Sequence, residues 1–328
     1  MMELYPLKFK PIYKPYIWGG KNLSKIGKSI PEDMIVAESW EVSDHGQDVS
    51  VVLNGKLRGR TLRELIEEYG EAISPRTNNG RFPLLIKYID ANKRLSVQVH
   101  PDDEYAHRHE GPLEMGKNEC WYIMEALPGA ELILGLKKGV TKTLLKKLIE
   151  EGRIEDALNR LPVSRGDFIY IKAGTVHALL EGTMVCEIHQ NSDTTYRLYD
   201  WGRAGKNGKP RPLHIEKALD VINFYPDELY DNYMGELTIN YDRTKLDESV
   251  PLLRGNFFNV DIFKCTNDFT CTLEGLHFHT LNIIEGEGYV EYRGGEVEFR
   301  PGDTLLIPGV LKNYRIRTRK ATIIKSFL

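Results

Sequence analysis

Four polar side chains in the amino-terminal half combine the residue types and the spacing of a metal site. Gln98 and His100 stand two positions apart in LSVQVHPDD. On a strand this spacing puts both side chains on one face, with valines on the other face. Glu119 begins another strand-like segment, ECWYIME, and His177 follows a strand and the turn AGTV. Together they would offer an ion one amide oxygen, one carboxylate and two imidazoles.

Nitrogen and oxygen ligands without thiolate suit Zn²⁺, and they also suit Fe²⁺, Mn²⁺, Co²⁺ or Ni²⁺. We predict one ion per chain at this site, with zinc as the expected cofactor. A neutral glutamine is an unusual ligand, so ligand chemistry supports Gln98 less than it supports the other three residues. His100, Glu119 and His177 are ordinary ligands for such an ion.

The elements that would position these residues are mostly strands. Short segments rich in β-branched and aromatic residues alternate with glycine and proline turns along the chain. This spacing favours a sandwich or jelly roll over a βαβ fold. Helical periodicity is confined to Thr61–Tyr69, Thr141–Leu161 and Arg211–Val221. We therefore predict an all-β-dominated fold in which Thr141–Leu161 is a small helical insertion.

An internal repeat indicates two similar units. The segment RGDFIYIKAGTVHAL (165–179) resembles RPGDTLLIPGVLKNY (300–314), with the Gly-Asp pairs in register. His177 then falls opposite Asn313. A Gly-Asp turn between strands is a feature of cupins, so the repeat predicts two tandem cupin (jelly-roll) barrels. Chance similarity of two strand–turn–strand units is the alternative.

We place the boundary between the barrels in the polar stretch after residue 227. Residues 1–235 would form a catalytic cupin domain with its helical insertion near 141–161, and residues 236–328 a degenerate cupin domain. The second barrel carries His277 and His279, but no matching glutamate and histidine follow them. We therefore expect no second metal site, although the sequence leaves open whether these histidines bind anything.

The composition of the chain limits the classes of binding partner and the cell compartment that we expect. The 328 residues have a formal net charge of −3 and no long basic block, so neither nucleic acid nor a membrane is an expected partner. The four cysteines form no C-x-x-C pair, which is typical of reduced thiols in a cytoplasm. No signal-like apolar region and no apolar run of about 18 residues is visible. We expect a cytoplasmic protein that is a monomer or a weak homo-oligomer.

Several motifs resemble one family. QVHPDD, GKNECWYI, AGTVHAL and NSDTTYRLYDW, in this order, are similar to the type I mannose-6-phosphate isomerases in their shorter bacterial form. The segments WGG (18–20) and AESWEVSDH (37–45) fit the same family. Its members are zinc-dependent double cupins that interconvert mannose 6-phosphate and fructose 6-phosphate. The resemblance implies the same four ligands and a small sugar phosphate as the partner.

The resemblance also implies roles for five further residues. Lys117, Asp193 and Arg197 would be catalytic, and Ser96 and Lys87 would bind substrate. An isomerisation through a cis-enediol needs a base and fixed positive charge beside the oxyanion. Arg197 is permanently cationic, so we assign it to the enediolate or the phosphate. Lys117 is our hypothesis for proton transfer because a nearby divalent cation would lower its pKa. Asp193 would either assist ring opening or orient Arg197 by a salt bridge.

Two other functions fit the same residues. A cupin oxygenase would hold iron in this site and consume oxygen, and a non-catalytic cupin would bind sugar without turnover. Lys117, Asp193 and Arg197 beside intact ligands argue against a mere binding module. The chain also lacks the large helical domain of longer family members, so substrate contacts from that domain are not expected here.

Overall fold

Strands dominate the computed structural model, which describes residues 4–75, 77, 79–205, 208–273 and 277–328. The strands, in chain order, are β1 (Leu7–Lys8), β2 (Ile12–Lys14), β3 (Glu38–Val42), β4 (Asp44–His45), β5 (Asp48–Val49), β6 (Leu84–Ala91), β7 (Val97–Val99), β8 (Glu119–Ala126), β9 (Glu131–Leu136), β10 (Leu158–Pro162), β11 (Phe168–Ile171), β12 (His177–Leu179), β13 (Thr183–Gln190), β14 (Tyr196–Tyr199), β15 (Thr238–Ile239), β16 (Ser249–Arg254), β17 (Asn259–Cys265), β18 (Phe269–Thr272), β19 (His279–Tyr292), β20 (Gly295–Phe299), β21 (Thr304–Ile307) and β22 (Asn313–Phe327). The helices are α1 (Leu62–Tyr69), α2 (Asp103–His109), α3 (Lys142–Glu150), α4 (Ile215–Val221) and α5 (Asp227–Leu237). The all-β-dominated fold class is confirmed.

Two antiparallel sheets form the first barrel. A seven-stranded sheet runs β15-β11-β8-β13-β6-β3-β2, and a five-stranded sheet runs β10-β9-β12-β7-β14. Their inner faces share one core, in which Trp121 and Ile89 of the larger sheet meet Leu134 and Leu179 of the smaller sheet. The polar residues predicted to bind an ion lie on these inner faces.

The third sheet forms the second barrel. Its strands run β1-β21-β19-β22-β17-β16, with β18 paired to β22 and β20 paired to β19. One face of β6 carries Ile86 and Tyr88 into a core shared with Ile262 and Ile324 of this sheet. The opposite face of β6 turns Lys87 toward the first barrel, because side chains alternate along a strand. This packing explains why β6 is buried on both faces.

The predicted repeat is present as one turn used twice. Gly166 and Gly302 have φ of +87° and +81°, a left-handed conformation that favours glycine. Gly166 N–H donates to the carbonyl of Ile123, and Gly302 N–H donates to that of Ile283. His177 then begins β12, and the residue opposite it in the repeat begins β22. This correspondence confirms two tandem barrels and aligns β8 with β19.

The exact limits of the two domains stay a prediction. Strand β15 lies beyond residue 235 in the chain and pairs with β11 of the first barrel. Strand β1 lies near the amino terminus and pairs with β21 of the second barrel.

Helical periodicity predicted one helix well and two only in part. Helix α1 is formed as predicted, and Thr61 and Glu64 close its start with a capping box. The predicted helix Thr141–Leu161 ends at Glu150, because the chain turns there and β10 then pairs with the edge of β9. The predicted helix from residue 211 begins only at Ile215, after two prolines. None of the described helices is long and apolar enough to cross a membrane.

Candidate metal centre and active site

A fully buried polar cluster surrounds Glu119 between the two sheets of the first barrel. His100 Nε2 lies 3.4 Å from Glu119 Oε2, and His177 Nε2 lies 3.2 Å from Glu119 Oε1. The ligand atoms of the three residues lie within 4.8 Å of one another. Glu119 and His177 are the first residues of β8 and β12, and His100 directly follows β7. Three strand ends therefore bring these groups to one point.

Backbone carbonyls orient both imidazoles. His100 Nδ1 lies 2.8 Å from the carbonyl oxygen of Thr194, and His177 Nδ1 lies 2.8 Å from that of Thr175. A carbonyl only accepts, so each Nδ1 carries the proton and each Nε2 lone pair faces Glu119. Burial lowers the pKa of His177 to about 3 and keeps its ring neutral. Neutral imidazoles held in this way are typical of metal ligands.

The carboxylate of Glu119 fits a bound cation. Neither of its oxygens accepts a hydrogen bond from the described residues, although Lys117 Nζ lies 2.6 Å from Oε2. Burial would raise the pKa of Glu119, but Lys117 holds that pKa well below its usual range. Burying an anion is costly even beside one ammonium group, and a divalent ion between the carboxylate and the two imidazole lone pairs would reduce that cost. These three residues could therefore hold a metal ion.

Gln98 lies beside this cluster. It is paired with His177 across β7 and β12. Its amide nitrogen lies 3.3 Å from His177 Nε2, and its oxygen accepts from Ser96 Oγ at 3.3 Å. The two ends of the amide have the same shape, so turning it over would aim the oxygen at the cluster centre. Its role as the fourth ligand stays a prediction.

Lys117 and Glu187 form the next layer around the cluster. Lys117 Nζ lies 3.3 Å from His100 Nε2 and 3.8 Å from Glu187 Oε1. Burial would lower the pKa of Lys117, but Glu119 and Glu187 raise it above its usual value. A divalent cation bound to Glu119 would place a second positive charge near Lys117. The predicted lowering of the Lys117 pKa depends on that charge. The role of Lys117 in proton transfer stays a prediction.

The ammonium group of Lys87 is surrounded by three carboxylates. Its Nζ is 3.6 Å from Glu38, 3.6 Å from Glu187 and 3.3 Å from Asp193. Burial would lower the pKa of Lys87, but the three carboxylates raise it. Asp193 thus pairs with Lys87, and among the described residues it forms no ion pair with Arg197. The predicted orienting salt bridge is therefore not formed, and the role of Asp193 in ring opening stays a prediction.

Arg197 is tied to the same wall through a chain of hydrogen bonds. It lies opposite Gln98 across β14 and β7. Its Nε donates to Ser96 Oγ at 3.2 Å, and its Nη1 donates to the carbonyl of Pro212 at 2.9 Å. Ser96 in turn contacts Gln98, so the guanidinium is fixed beside the cluster.

A cavity of about 400 Å³ opens beside these residues. Six of the nine predicted site residues line it, and each of the other three contacts Lys117 or Gln98, which are among the six. The lining residues predicted from sequence are Lys87, Ser96, Gln98, Lys117, Asp193 and Arg197. The sequence predictions therefore converge on one place, while the individual roles stay predictions.

Three further charged residues that line the cavity were not predicted, namely Glu38, Glu187 and Arg211. Glu187 stands two positions before His189 in CEIHQ, the same spacing that singled out Gln98 and the histidine after it. Glu38 stands two positions before Trp40 on β3, and it accepts a hydrogen bond from the indole N–H at 2.8 Å. Both signals were available in the sequence. Arg211 carried none, because its segment was predicted as a helix.

Comparisons with known proteins point in one direction. A family described as phosphomannose isomerase type I, catalytic domain, matches residues 6–124. The chain is 38% identical over 315 residues to mannose-6-phosphate isomerase ManA of Bacillus subtilis, covering 96% of each protein. It is 36% identical to the mannose-6-phosphate isomerase of Streptococcus mutans, covering 91% of each. The crystal structure of a mannose 6-phosphate isomerase from Bacillus subtilis matches with a TM-score of 0.87 and 34% identity, covering 99% of this chain and 100% of that one.

Proposed function

The chain belongs to the type I mannose-6-phosphate isomerases, and we propose that it interconverts mannose 6-phosphate and fructose 6-phosphate with one zinc ion held by Gln98, His100, Glu119 and His177. The observation that carries the proposal is the buried cluster around Glu119, which lies against a cavity of about 400 Å³. That cavity is lined by both carboxylates and cations, as a reaction through an anionic enediolate requires.

The ion would act as a Lewis acid toward substrate oxygens when bound. The chain's own residues would bind and orient the sugar. Asp193 is partly exposed toward the cavity, with a side chain 43% accessible, so it can reach a ring hydroxyl. Arg197, whose planar fork suits anionic oxygens, would stabilise the enediolate.

The isomerisation takes a proton from one of the carbons C1 and C2 and returns a proton to the other. Lys117 faces the cavity directly beside the cluster and is our candidate for this transfer. Glu187 is the second candidate for this transfer because it also lines the cavity, and burial raises its pKa to about 6. A pKa near the working pH suits a group that both accepts and releases a proton.

The test is a coupled assay of the purified protein with mannose 6-phosphate, after chelation and after re-addition of zinc. We expect turnover with zinc and its loss after chelation. Oxygen uptake with iron would indicate an oxygenase, and sugar binding without turnover would indicate a binding cupin. No turnover in either metal state, with other sugar phosphates also inert, would overturn the proposal.

The proposal includes a cytoplasmic location and a monomer or weak homo-oligomer. Its support for the location is that all four cysteines are buried and free. Size-exclusion chromatography with light scattering would measure the oligomeric state.

A further inference from the structure

We propose that Arg211 recognises the phosphate group of the substrate and that Asp200 holds it in position. This inference rests on the proposed function, because it assigns one end of the same cavity. Arg211 lines the cavity beside the metal cluster, and it also lines an adjoining hollow of about 380 Å³ that contains Trp18 and Pro210. It therefore stands at the border between the catalytic cavity and the surface.

Residues 208–214 form a strap that fixes Arg211 against β14. His214 N–H donates to the carbonyl of Arg197 at 2.8 Å, and Arg197 N–H donates to His214 Nδ1 at 3.1 Å. The carbonyl of Pro212 accepts from the Arg197 guanidinium. On the other side of residue 211, Gly205 N–H donates to the carbonyl of Lys209 at 2.8 Å, so hydrogen bonds before and after residue 211 leave its backbone little freedom.

The guanidinium of Arg211 is itself preorganised. Its Nε donates to Asp200 Oδ2 at 2.7 Å and its Nη2 donates to Asp200 Oδ1 at 2.6 Å. Its carbon lies 5.0 Å from the centre of the Trp18 ring. Within the described part of the chain, Nη1 makes no hydrogen bond to a side chain or backbone group. A fork held on one edge, with donor capacity left on the other, is suited to a phosphate oxygen.

The charges at this end favour an anion. Asp200 is buried and accepts from both Arg203 and Arg211, and Arg197 is adjacent. Two guanidinium groups thus share one carboxylate, and the positive charge of Arg197 lies close enough for Arg211 to act on its pKa. Burial and the nearby Arg211 lower the pKa of Arg197, which reflects the repulsion between the two cations. A phosphate dianion bound by Arg211 would offset its positive charge and so relieve this repulsion.

The metal end of the cavity has the opposite balance. The ammonium of Lys87 meets three carboxylates, so its charge is already compensated. Lys87 is therefore a poorer partner for a dianion than Arg211, although it can still bind sugar hydroxyls. The cavity is thus acidic near the cluster and cationic at the strap, which orients a sugar phosphate with its phosphate toward Arg211.

The test compares Arg211→Gln with the wild type as full-length, zinc-loaded enzymes. Hydrogen bonds to charged groups contribute about 1.5–3 kcal/mol, so we expect the KM for mannose 6-phosphate to rise about 10- to 100-fold. We expect kcat to change by less than about threefold, since the reacting carbons lie at the other end. The inhibition constant of inorganic phosphate should rise by a similar factor. Asp200→Asn should raise the same two constants less, because the fork of Arg211 remains but is held less firmly.

Arg203→Gln is the matched control. Arg203 shares Asp200 but lines an outer groove with Arg94 and Trp201, not the catalytic cavity. Its KM and phosphate inhibition should stay within about threefold of the wild type. A KM within twofold of the wild type in Arg211→Gln, or equal effects of both variants, would overturn the inference.

Direct binding of inorganic phosphate separates this inference from the isomerase proposal. In calorimetry we expect the wild type to bind phosphate and Arg211→Gln to bind it at least about tenfold more weakly. If the wild type binds phosphate in this way but does not isomerise mannose 6-phosphate, the isomerase proposal fails and the phosphate subsite stands. If phosphate binding is the same in both proteins, the subsite assignment fails even when turnover is normal.

Discussion

Lys117 is the residue whose contacts bear most directly on the chemistry, because its ammonium touches Glu119 of the buried polar cluster and also lines the cavity. If Lys117 moves the substrate proton, Lys117→Met should lower kcat about 10²- to 10⁴-fold, the range for a lost acid–base group. Steady-state kinetics measure this. The ion content must be determined in parallel, since the lysine also contacts Glu119. Near-normal turnover with a full complement of zinc would remove Lys117 from the mechanism.

Glu187 should make the free energy of unfolding depend on pH, and its pKa gives the direction of that dependence. Burial raises its pKa from 4.5 to about 6, and Lys117 only partly opposes this. The folded carboxyl therefore holds its proton more tightly than the unfolded chain does. As the pH rises from about 4.5 to about 6, the unfolded chain ionises first and the free energy of unfolding falls.

Glu187→Gln cannot ionise, so it should lack this fall. Urea denaturation between pH 4.5 and pH 6.5 should show the difference in stability between variant and wild type changing by about 2 kcal/mol across that window. Glu125→Gln is a suitable control, because Glu125 lies on β8 but is 43% accessible. Parallel pH curves for wild type and Glu187→Gln would show that burial does not perturb this carboxyl.

At the scale of elements, the alternation of side chains along strands made the buried polar cluster around Glu119 predictable. Gln98 and the histidine two residues later share a face on β7, and this pattern is local. The second half of the predicted helix Thr141–Leu161 was not predictable, because its apolar spacing fits a helix as well as a strand beside the open edge of β9. Arg211 was not predictable either. Its position depends on Asp200, which the sequence does not mark as its partner.

The two Gly-Asp turns offer a controlled comparison of one element in two surroundings. Gly166 and Gly302 have nearly the same left-handed φ. A Cβ added at Gly166 would meet only the ends of two side chains, Arg243 at 3.4 Å and the hydroxyl of Tyr241 at 3.7 Å. A Cβ added at Gly302 would lie 2.1 Å from the carbonyl oxygen of Ile26, which is backbone.

Gly166→Ala should therefore cost only the strain of a left-handed alanine, about 1–2 kcal/mol. Gly302→Ala should cost at least about 1 kcal/mol more, because backbone must move. Chemical denaturation of the two variants measures the difference. Equal losses of stability would mean that the segment carrying Ile26 yields freely, which would contradict the packing described here.

On the scale of the whole molecule, each barrel has an ion pair between equivalent positions of two neighbouring strands. The positive and negative members of the pair are exchanged between the two barrels. In the first barrel Lys87 lies opposite Glu187 across β6 and β13. In the second, Asp261 lies opposite Lys325 across β17 and β22. The aligned turns make Glu187 and Lys325 equivalent, so the positions match residue by residue.

The same alignment places His279 where Glu119 stands in the first barrel. His279 Nδ1 is hydrogen-bonded to the hydroxyl of Tyr314 at 2.9 Å, and burial lowers its pKa to about 3. Among the described residues, the group at His100, Glu119 and His177 is the only one of three or more potential ligands that could hold an ion. The repeat in the sequence placed Asn313 opposite His177, but the inverted ion pair depends on strand register and was not visible in the sequence.

The pair of Lys325 and Asp261 should therefore stabilise the fold without serving the reaction. Lys325 Nζ lies 2.9 Å from Asp261 Oδ2, and the two side chains are 11% and 3% accessible. Without Lys325, the buried Asp261 keeps only the half-exposed Arg254 as an ionic partner, so Lys325→Met should lower the free energy of unfolding by up to about 3 kcal/mol. The double variant Lys325→Met/Asp261→Leu should be less destabilised than the sum of its single variants, because neither charge remains alone.

Urea denaturation measures these differences, and the coupled assay at a temperature where all variants are folded measures kcat. We expect kcat within about twofold of the wild type, since the first barrel keeps its own charges around the metal cluster. Loss of turnover at unchanged stability would show instead that the second barrel acts on the reaction. Additive losses in the double variant would show that the two charges do not depend on each other, and the inverted pair would then have no stabilising role as a unit.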